Sequence, residues 1–198
     1  MIMACAAWLV AVVTAMALLV EHSNEPGATG AAPSRWPADS AIPLDPEHPT
    51  LVMFAHPHCP CTRASVGELE LLMARCHGQV SAHVVFIRPL ETDKDWTQTD
   101  LWRRVSTIPG VTLHRDDDGV ESRRFDSETS GTTVLYGTDG TLLFHGGITI
   151  SRGHSGDNPG RSALVEILEH RLSNSVTTPV FGCPLFNSQC PSEGTACK

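Results

Sequence analysis

The chain has 198 residues, an apolar fraction of 41% and a formal net charge of −8 at pH 7. This length suffices for one compact domain with extra segments at its ends, and the apolar fraction is above that of disordered chains. The acidic balance, with Lys and Arg scattered along the chain, argues against nucleic acid as a partner.

The N-terminal segment, residues 1–20, contains no charged side chain. As a helix it would span roughly 28 Å, close to the thickness of the hydrocarbon core of a bilayer. It is therefore predicted to be a transmembrane anchor or a signal segment. Because no convincing cleavage site follows it, we favour an uncleaved anchor that holds the rest of the chain on the extracytoplasmic, periplasmic side of the membrane. Secretion after cleavage is the alternative.

Residues 21–47 are rich in Pro, Gly and Ala. Such a composition buries little surface and predicts a flexible linker between the membrane and the domain. The alternative is that Trp36 to Leu44 lie on the domain as an irregular stretch.

Residues 48–173 alternate between short β-rich runs and amphipathic helical patterns. The predicted strands are Thr50–His56, Ala82–Ile87, Val111–His114, Thr132–Tyr136 and Thr141–His145, the last two forming a hairpin around an Asp-Gly turn. The predicted helices are one that follows Cys61 and ends near Cys76, then Asp95–Val105, Gly119–Phe125 and Arg161–Leu172.

The first strand ends at Cys59-Pro60-Cys61-Thr62. Pro60 suits the first position of a helix, which makes Cys59 the predicted N-cap. There the sulfur would face free backbone N–H groups and the positive end of the helix dipole, and both lower the pKa of a thiol. Cys59 is therefore the predicted nucleophile and Cys61 its resolving partner. A disulfide between residues two apart should be strained and readily reduced.

His56 and His58 flank the two thiols. An imidazolium there would lower the thiol pKa further, and a neutral imidazole could accept a proton. Alternatively, His56 only packs or hydrogen-bonds to the backbone. With Cys59 and Cys61, the two histidines also form a compact set of ligands suited to Cu(I).

The element order, with dithiol chemistry at the end of the first strand, resembles the thioredoxin fold. It looks like the membrane-anchored, extracytoplasmic thioredoxins related to ResA and TlpA over roughly residues 48–173. The stretch Gly146–Asn158 is also similar to a thioredoxin-like group called RedB. The resemblance implies an α/β fold, with a central mixed sheet flanked by helices. It also implies thiol–disulfide exchange with extracytoplasmic proteins and a redox partner, without a bound cofactor.

The chain departs from that family at two places. The family motif is C-x-x-C, and a cis-proline precedes the fourth strand and faces the dithiol. Here the matching stretch is Ser130-Gly131-Thr132-Thr133, which has no proline. We therefore expect the substrate-positioning edge, at Thr132, to be altered. A second alignment, with Cys61 as the family's second cysteine and Cys59 as a spacer, would leave His58 in the nucleophile's place.

The remaining candidates lie outside this motif. His154 belongs to a Gly-rich loop that could cover the active site, although such loops are common on surfaces. Cys76 is predicted to be a small apolar core residue. The tail, residues 174–198, contains Cys183, Cys190 and Cys197 at even spacing. Two of these are predicted to form a disulfide, and the third could pair with Cys76 or exchange with the active site.

These observations favour a thiol–disulfide oxidoreductase. A copper metallochaperone using His56, His58, Cys59 and Cys61 is the main alternative. A thiol peroxidase is a third interpretation, because Cys59 to Thr62 also fits C-x-x-T, but matching Gln and Trp motifs do not follow. A non-catalytic scaffold would tolerate the loss of both thiols.

Overall fold

The N-terminal apolar segment forms a single long helix in the computed structural model, which describes residues 2–170 and 175–186. This helix, α1, spans Ile2–Asn24 and buries none of its residues. In the described part of the chain it is the one helix long and apolar enough to cross a membrane. Its length and composition agree with either a membrane anchor or a signal sequence.

The predicted alternation of strands and helices is present. The strands are β1 Thr50–Ala55, β2 Ser81–Arg88, β3 Val111–Asp117, β4 Thr133–Tyr136, β5 Leu142–Gly146 and β6 Val176–Thr177. The helices that follow α1 are α2 Thr62–Arg75, α3 Asp100–Val105, α4 Val120–Arg124 and α5 Pro159–His170, and a 3₁₀ helix spans Lys94–Thr97.

The strands form one mixed sheet in the order β3-β2-β1-β4-β5-β6. β1 lies at its centre, parallel to β2 and antiparallel to β4. β4 and β5 form the predicted antiparallel hairpin, closed by the Gly137 amide, which donates to the Thr141 carbonyl. This arrangement, with helices against the sheet, confirms the predicted thioredoxin-like α/β fold. It places the residues that follow β1 at the end of the central strand.

Both faces of β1 are buried, as expected for a central strand that reads as a continuous apolar run. Leu51 and Met53 join a core cluster that also holds apolar residues of α2 and α5. Val52 and Phe54 face the other cluster, which contains Phe125. The alternation of side chains along β1 therefore ties the sheet to a core on each of its faces.

The segment predicted to be a flexible linker lies against the domain. Ile42 is buried in the second core cluster. The Trp36 ring makes edge contacts with the rings of Phe125 and Tyr136, at centroid distances of 5.1 and 5.2 Å. The Tyr136 hydroxyl also donates to the Pro33 carbonyl at 2.8 Å. These contacts differ from a free tether and correspond to the alternative in which Trp36 to Leu44 lie on the domain.

Two other elements differ from the sequence predictions. The helix predicted over Asp95–Val105 is interrupted, because Thr99 is extended and its hydroxyl caps α3 by accepting from the Trp102 amide. β6, in the stretch predicted to be tail, pairs parallel with β5. The last residues of the predicted helix Arg161–Leu172, beyond position 170, lie outside the described residues.

Candidate functional site

The candidate site begins where β1 ends. His56 to Cys59 form a turn, in which the Cys59 amide donates to the His56 carbonyl at 3.1 Å. α2 begins at Thr62, and its N-cap is Cys61 rather than the predicted Cys59. The reason is that the first turn is of the tighter 3₁₀ kind, with the Thr62 amide donating to the Cys59 carbonyl. Cys59 thus lies three residues before the first residue of the regular helix, Thr62.

Three thiol sulfurs converge at this point. Those of Cys59, Cys61 and Cys183 all lie within 4.8 Å of one another. The Cys59 and Cys183 sulfurs are 2.8 Å apart. Cys59 is only 4% exposed, whereas Cys61 and Cys183 are half-buried. The structure therefore brings the two predicted thiols together and adds a third from the C-terminal region.

Backbone pairing positions Cys183. Its carbonyl accepts from the Ser130 amide at 2.8 Å, and the Leu185 amide donates to the Glu128 carbonyl at 2.7 Å. Between these two bonds, Thr129 and Pro184 form an isolated antiparallel bridge. Residues 183–185 therefore lie as a short extra strand along residues 128–130, the loop that precedes β4.

Gly182 and Arg152 fix the approach of this extra strand. A Cβ atom at Gly182 would lie 1.9 Å from the Ser130 carbonyl oxygen, so only glycine allows the two backbones to come this close. The Arg152 guanidinium donates to the Gly182 carbonyl. Its positive charge also acts to lower the pKa of both Cys61 and Cys183, against larger opposing effects.

Hydrogen bonding lowers the pKa of Cys59 to about 4. The largest cause is the bond with the Cys183 thiol, which outweighs the opposite effect of burial. Thr62 and the amide of Cys183 make smaller contributions in the same direction. Such donors stabilise the thiolate, which is the nucleophilic form of cysteine. The low pKa predicted for Cys59 thus arises mainly from a donor that the sequence did not indicate, Cys183, and to a smaller extent from Thr62 at the start of α2.

The other two thiols stay protonated when Cys59 is ionised. The hydrogen bond that Cys183 donates to Cys59 raises the pKa of Cys183, and burial adds to the effect. Burial raises the pKa of Cys61, and the negative charge of Cys59 raises it further. One thiolate and two thiols therefore share the site at neutral pH.

Ser130 connects the end of β1 with the start of α2. Its hydroxyl accepts from the His56 amide at 2.8 Å and lies 2.6 Å from the Thr62 hydroxyl. The next residue, Gly131, has a φ of +95°, and the described residues contain no cis peptide. Thr132, predicted to lie at the substrate edge, is buried and donates its hydroxyl to the Thr129 carbonyl.

His56 and His58 lie beside Trp96 rather than among the sulfurs. The His58 ring is 4.6 Å from the Trp96 ring and its Nε2 lies 3.1 Å from the Trp96 carbonyl oxygen. The His56 Nδ1 accepts from the His58 amide at 3.2 Å. Burial lowers the pKa of His56, so its ring is neutral at pH 7. The set of convergent ligand atoms found in the described residues consists of thiols and does not include either histidine. Pro60 is exposed.

The Gly-rich loop before α5 is attached to α2 by Glu68. This fully buried carboxylate accepts from the Gly156 amide at 2.7 Å, from the Asn158 side chain at 3.1 Å and from Arg161 at 2.5 Å. His154, the residue predicted to approach the thiols, is exposed, and its Nδ1 lies 2.9 Å from the Arg152 carbonyl oxygen. The loop therefore contributes Arg152 to the site, and not His154.

Sequence reasoning missed Ser130 and Arg152 as site residues, and it left Cys183 among several possible pairings. Nothing in the local pattern around Ser130 or Arg152 signals a role, because the side chains of both act on segments that are distant in the sequence. The tail disulfide predicted between two of Cys183, Cys190 and Cys197 stays a prediction, because Cys190 and Cys197 lie outside the described residues. Cys76 is buried in the first core cluster, as predicted.

No family model matches the chain, and no curated protein matches it. Solved structures do. A hypothetical protein from Sinorhizobium meliloti is 14% identical, with a TM-score of 0.59 over 81% of this chain and 93% of that one. An uncharacterised conserved protein from Geobacillus kaustophilus is also 14% identical, with a TM-score of 0.59 over 85% and 95%.

A lower similarity is to a secreted Mycobacterium tuberculosis disulfide oxidoreductase. It is 21% identical, with a TM-score of 0.45 over 64% of this chain and 84% of that one. The two structures with a TM-score of 0.59, at 14% identity, show a shared fold and not an activity. The strand order of this chain is that of the predicted thioredoxin-like α/β fold, and the function has to be argued from the three thiols themselves.

Proposed function

We propose that the chain is a thiol–disulfide oxidoreductase in which Cys59 is the nucleophile. The observation that carries this proposal is a buried cysteine of lowered pKa, at the end of the central strand, within 4.8 Å of two further thiols. A thiolate attacks disulfides, and a second thiol within reach allows the resulting mixed disulfide to be resolved. No bound cofactor is needed for this exchange.

Each group around Cys59 has a part in this chemistry. Thr62 stabilises the thiolate by hydrogen bonding, as does the Cys183 thiol. Ser130 holds Thr62 and the backbone of His56 in place. Cys61, the partner predicted from the sequence, and Cys183 are the two thiols of the described residues within 4.8 Å of Cys59 that could resolve a mixed disulfide.

Turnover of a disulfide substrate tests the proposal. The full chain in detergent would be assayed for reduction of insulin disulfides by dithiothreitol, beside the variants Cys59→Ser and Cys76→Ser. Loss of a nucleophile should lower the rate by at least about 100-fold. Cys76 is a matched control, because it is a buried cysteine in the core cluster away from the site. Equal rates for Cys59→Ser and the wild type would refute the proposal.

Copper handling is the second candidate function, and the convergence of three thiols favours it. Thiolates are the ligands that Cu(I) prefers, and three sulfurs within 4.8 Å of one another could surround one ion. The histidines of the predicted quartet would then be replaced by Cys183. Titration with Cu(I) under anaerobic conditions, in competition with a chromophoric chelator, would measure the affinity. Binding of one equivalent that is lost in Cys183→Ser, without insulin reduction, would favour this function.

The location proposed for the domain is the extracytoplasmic side of a membrane, with α1 as its anchor. Support comes from the apolar composition of Ile2–Asn24 and from the absence of any buried residue within it. Protein thiols or disulfides on that side, together with a redox partner, would be the substrates. Disulfides form in such compartments, so a pair of cysteines there can exist in both the thiol and the disulfide state.

A further inference from the structure

We propose that Cys183 is the thiol that resolves the mixed disulfide formed on Cys59, so that Cys59 and Cys183 form the redox couple of the chain. The inference rests on the proposed function and names a residue that the motif Cys59-Pro60-Cys61 does not contain. Its first support is distance, since the two sulfurs lie 2.8 Å apart. The hydrogen bond with Cys183 is also the largest cause of the lowered pKa of Cys59.

The conformation of the Cys59–Cys61 segment opposes direct bonding between those two residues. The amides of Thr62, Arg63 and Ala64 donate three residues back, to the carbonyls of Cys59, Pro60 and Cys61. Cys59 and Cys61 are therefore two residues apart on a tight turn, a spacing at which side chains do not face each other directly, although their sulfurs lie within 4.8 Å. A disulfide between them requires this turn to unwind, whereas Cys183 approaches from a different segment.

The protonation of Cys183 follows the state of Cys59. While Cys59 is a thiolate, the bond that Cys183 donates to it is the largest cause of the raised pKa of Cys183. Formation of a mixed disulfide removes that negative charge and that acceptor. Burial and the opposing charge of Arg152 then remain, so the pKa of Cys183 falls when a thiolate is needed there.

The exchange consists of two successive attacks by thiolates on disulfide sulfurs. The Cys59 thiolate attacks one sulfur of a substrate disulfide, forming a mixed disulfide and releasing one substrate thiolate, which takes a proton from water. Cys183 loses its proton to solvent, and its thiolate attacks the Cys59 sulfur. The Cys59–Cys183 disulfide forms, and the second substrate sulfur leaves as a thiolate that takes a proton from water. Two electrons pass from the chain to the substrate, and a dithiol protein restores the reduced chain by the reverse exchange.

The same contacts that supply Cys183 also cover Cys59. With Cys59 only 4% exposed, a substrate disulfide reaches it after residues 183–185 separate from residues 128–130. Two backbone hydrogen bonds, between Ser130 and Cys183 and between Leu185 and Glu128, connect these segments. The strand that carries Cys183 therefore opens for capture and returns for resolution.

Trapping of the mixed disulfide tests the assignment. Full chains in detergent, with Cys190 and Cys197 replaced by Ser in every variant, would be reduced, mixed with oxidised glutathione and quenched with acid. Mass spectrometry would then locate glutathione on each cysteine. Cys183→Ser should accumulate the Cys59–glutathione adduct at least about tenfold over the parent, and Cys61→Ser should resemble the parent. The parent should contain a Cys59–Cys183 disulfide.

The other outcomes overturn one claim or the other. The role of Cys183 would be refuted if the Cys59–glutathione adduct accumulated in Cys61→Ser alone or equally in both variants. A Cys59–Cys61 disulfide in the parent would refute it as well. Each of these results would leave the oxidoreductase proposal intact. Absence of any adduct or disulfide at Cys59 in all variants would refute the proposed function itself. Circular dichroism checks that Cys183→Ser is folded. The amount of the Cys59–glutathione adduct in Cys183→Ala then measures the same resolving step in a second variant.

Discussion

The Cys59 sulfur lies 2.8 Å from the Cys183 sulfur, although 124 residues separate them in the sequence. Cys59 ends the turn that follows the central strand, and Cys183 sits on a short strand along residues 128–130. The chemistry of the first segment therefore depends on how the C-terminal region folds back onto the loop before β4.

The pKa of Cys59 should depend on Cys183. In the reduced chain, ultraviolet absorbance of the thiolate should titrate well below the ordinary thiol pKa of 9.0, towards the value of about 4 given by its hydrogen bonds. In Cys183→Ala the largest of these bonds is lost, so the midpoint should rise by about one unit or more. Cys76→Ser should titrate like the wild type. An unchanged midpoint in Cys183→Ala would show that the bond does not stabilise the thiolate.

The same shift predicts how stability varies with pH. A group whose pKa is depressed on folding stabilises the fold fully above its unfolded pKa and loses that contribution as pH falls through its folded pKa. For Cys59 the window runs from about 9.0 down to about 4. The free energy of unfolding of the reduced wild type, relative to Cys59→Ala, should therefore rise with pH across this window. A difference that stays flat from pH 5 to pH 8 would contradict the prediction.

Ser130→Ala should destabilise the fold by about 1–3 kcal/mol, because the buried His56 amide loses its acceptor and Thr62 loses its partner. Ser127→Ala is a matched control. Ser127 is also buried, but its hydroxyl has no hydrogen-bond partner among the described residues, so its removal should leave stability unchanged or raised. Urea unfolding of both variants measures the difference. Equal losses would mean that the Ser130 contacts contribute nothing specific.

Glu68→Gln should cost about 3 kcal/mol or more, since Arg161 loses a buried charged partner. Glu70→Gln, two residues along the same helix, removes an ion pair with Arg104 that is partly exposed, and should cost about 1 kcal/mol or less. Hydrogen exchange should also show faster exchange of the Gly156 amide in Glu68→Gln, because that amide donates to the Glu68 carboxylate. Similar costs for both variants would rule out a special role for Glu68.

The anchor can be tested on the chain as it is expressed. We expect the mature chain to keep residues 2–24 and to remain in the membrane fraction after washing at alkaline pH. Mass measurement of the purified chain identifies its N-terminus. A soluble product that begins after Asn24 would show that Ile2–Asn24 is a cleaved signal segment.

Local patterns were sufficient to predict most of the fold. β1 is a continuous apolar run, and the hairpin around Gly137 to Gly140 contains turn residues with an obvious role, so both were predictable. The helix expected over Asp95–Val105 was not, because the capping bond of Thr99 competes with helix continuation. Helical periodicity does not report such a bond.

The site was only half predictable for a related reason. Cys59 and Cys61 were predictable from their spacing and from their place between a strand and a helix. Cys183 reaches them through backbone pairing with Ser130 and through a close approach at Gly182. Pairing between distant segments leaves no periodic pattern in the sequence. The third thiol of the site could therefore be identified only from the folded structure.

Redox titration of the full chain against glutathione is the most direct test that Cys59 is a redox-active thiol. Aliquots equilibrated at increasing ratios of oxidised to reduced glutathione would be alkylated, and each cysteine would be mapped by mass spectrometry. We predict that Cys59 is recovered as an alkylated thiol at low ratios and in a disulfide with a thiol of its own cluster at high ratios, and that this change is reversible. If Cys59 instead stays a free thiol at every ratio, it is not a redox-active residue and the proposed function is wrong.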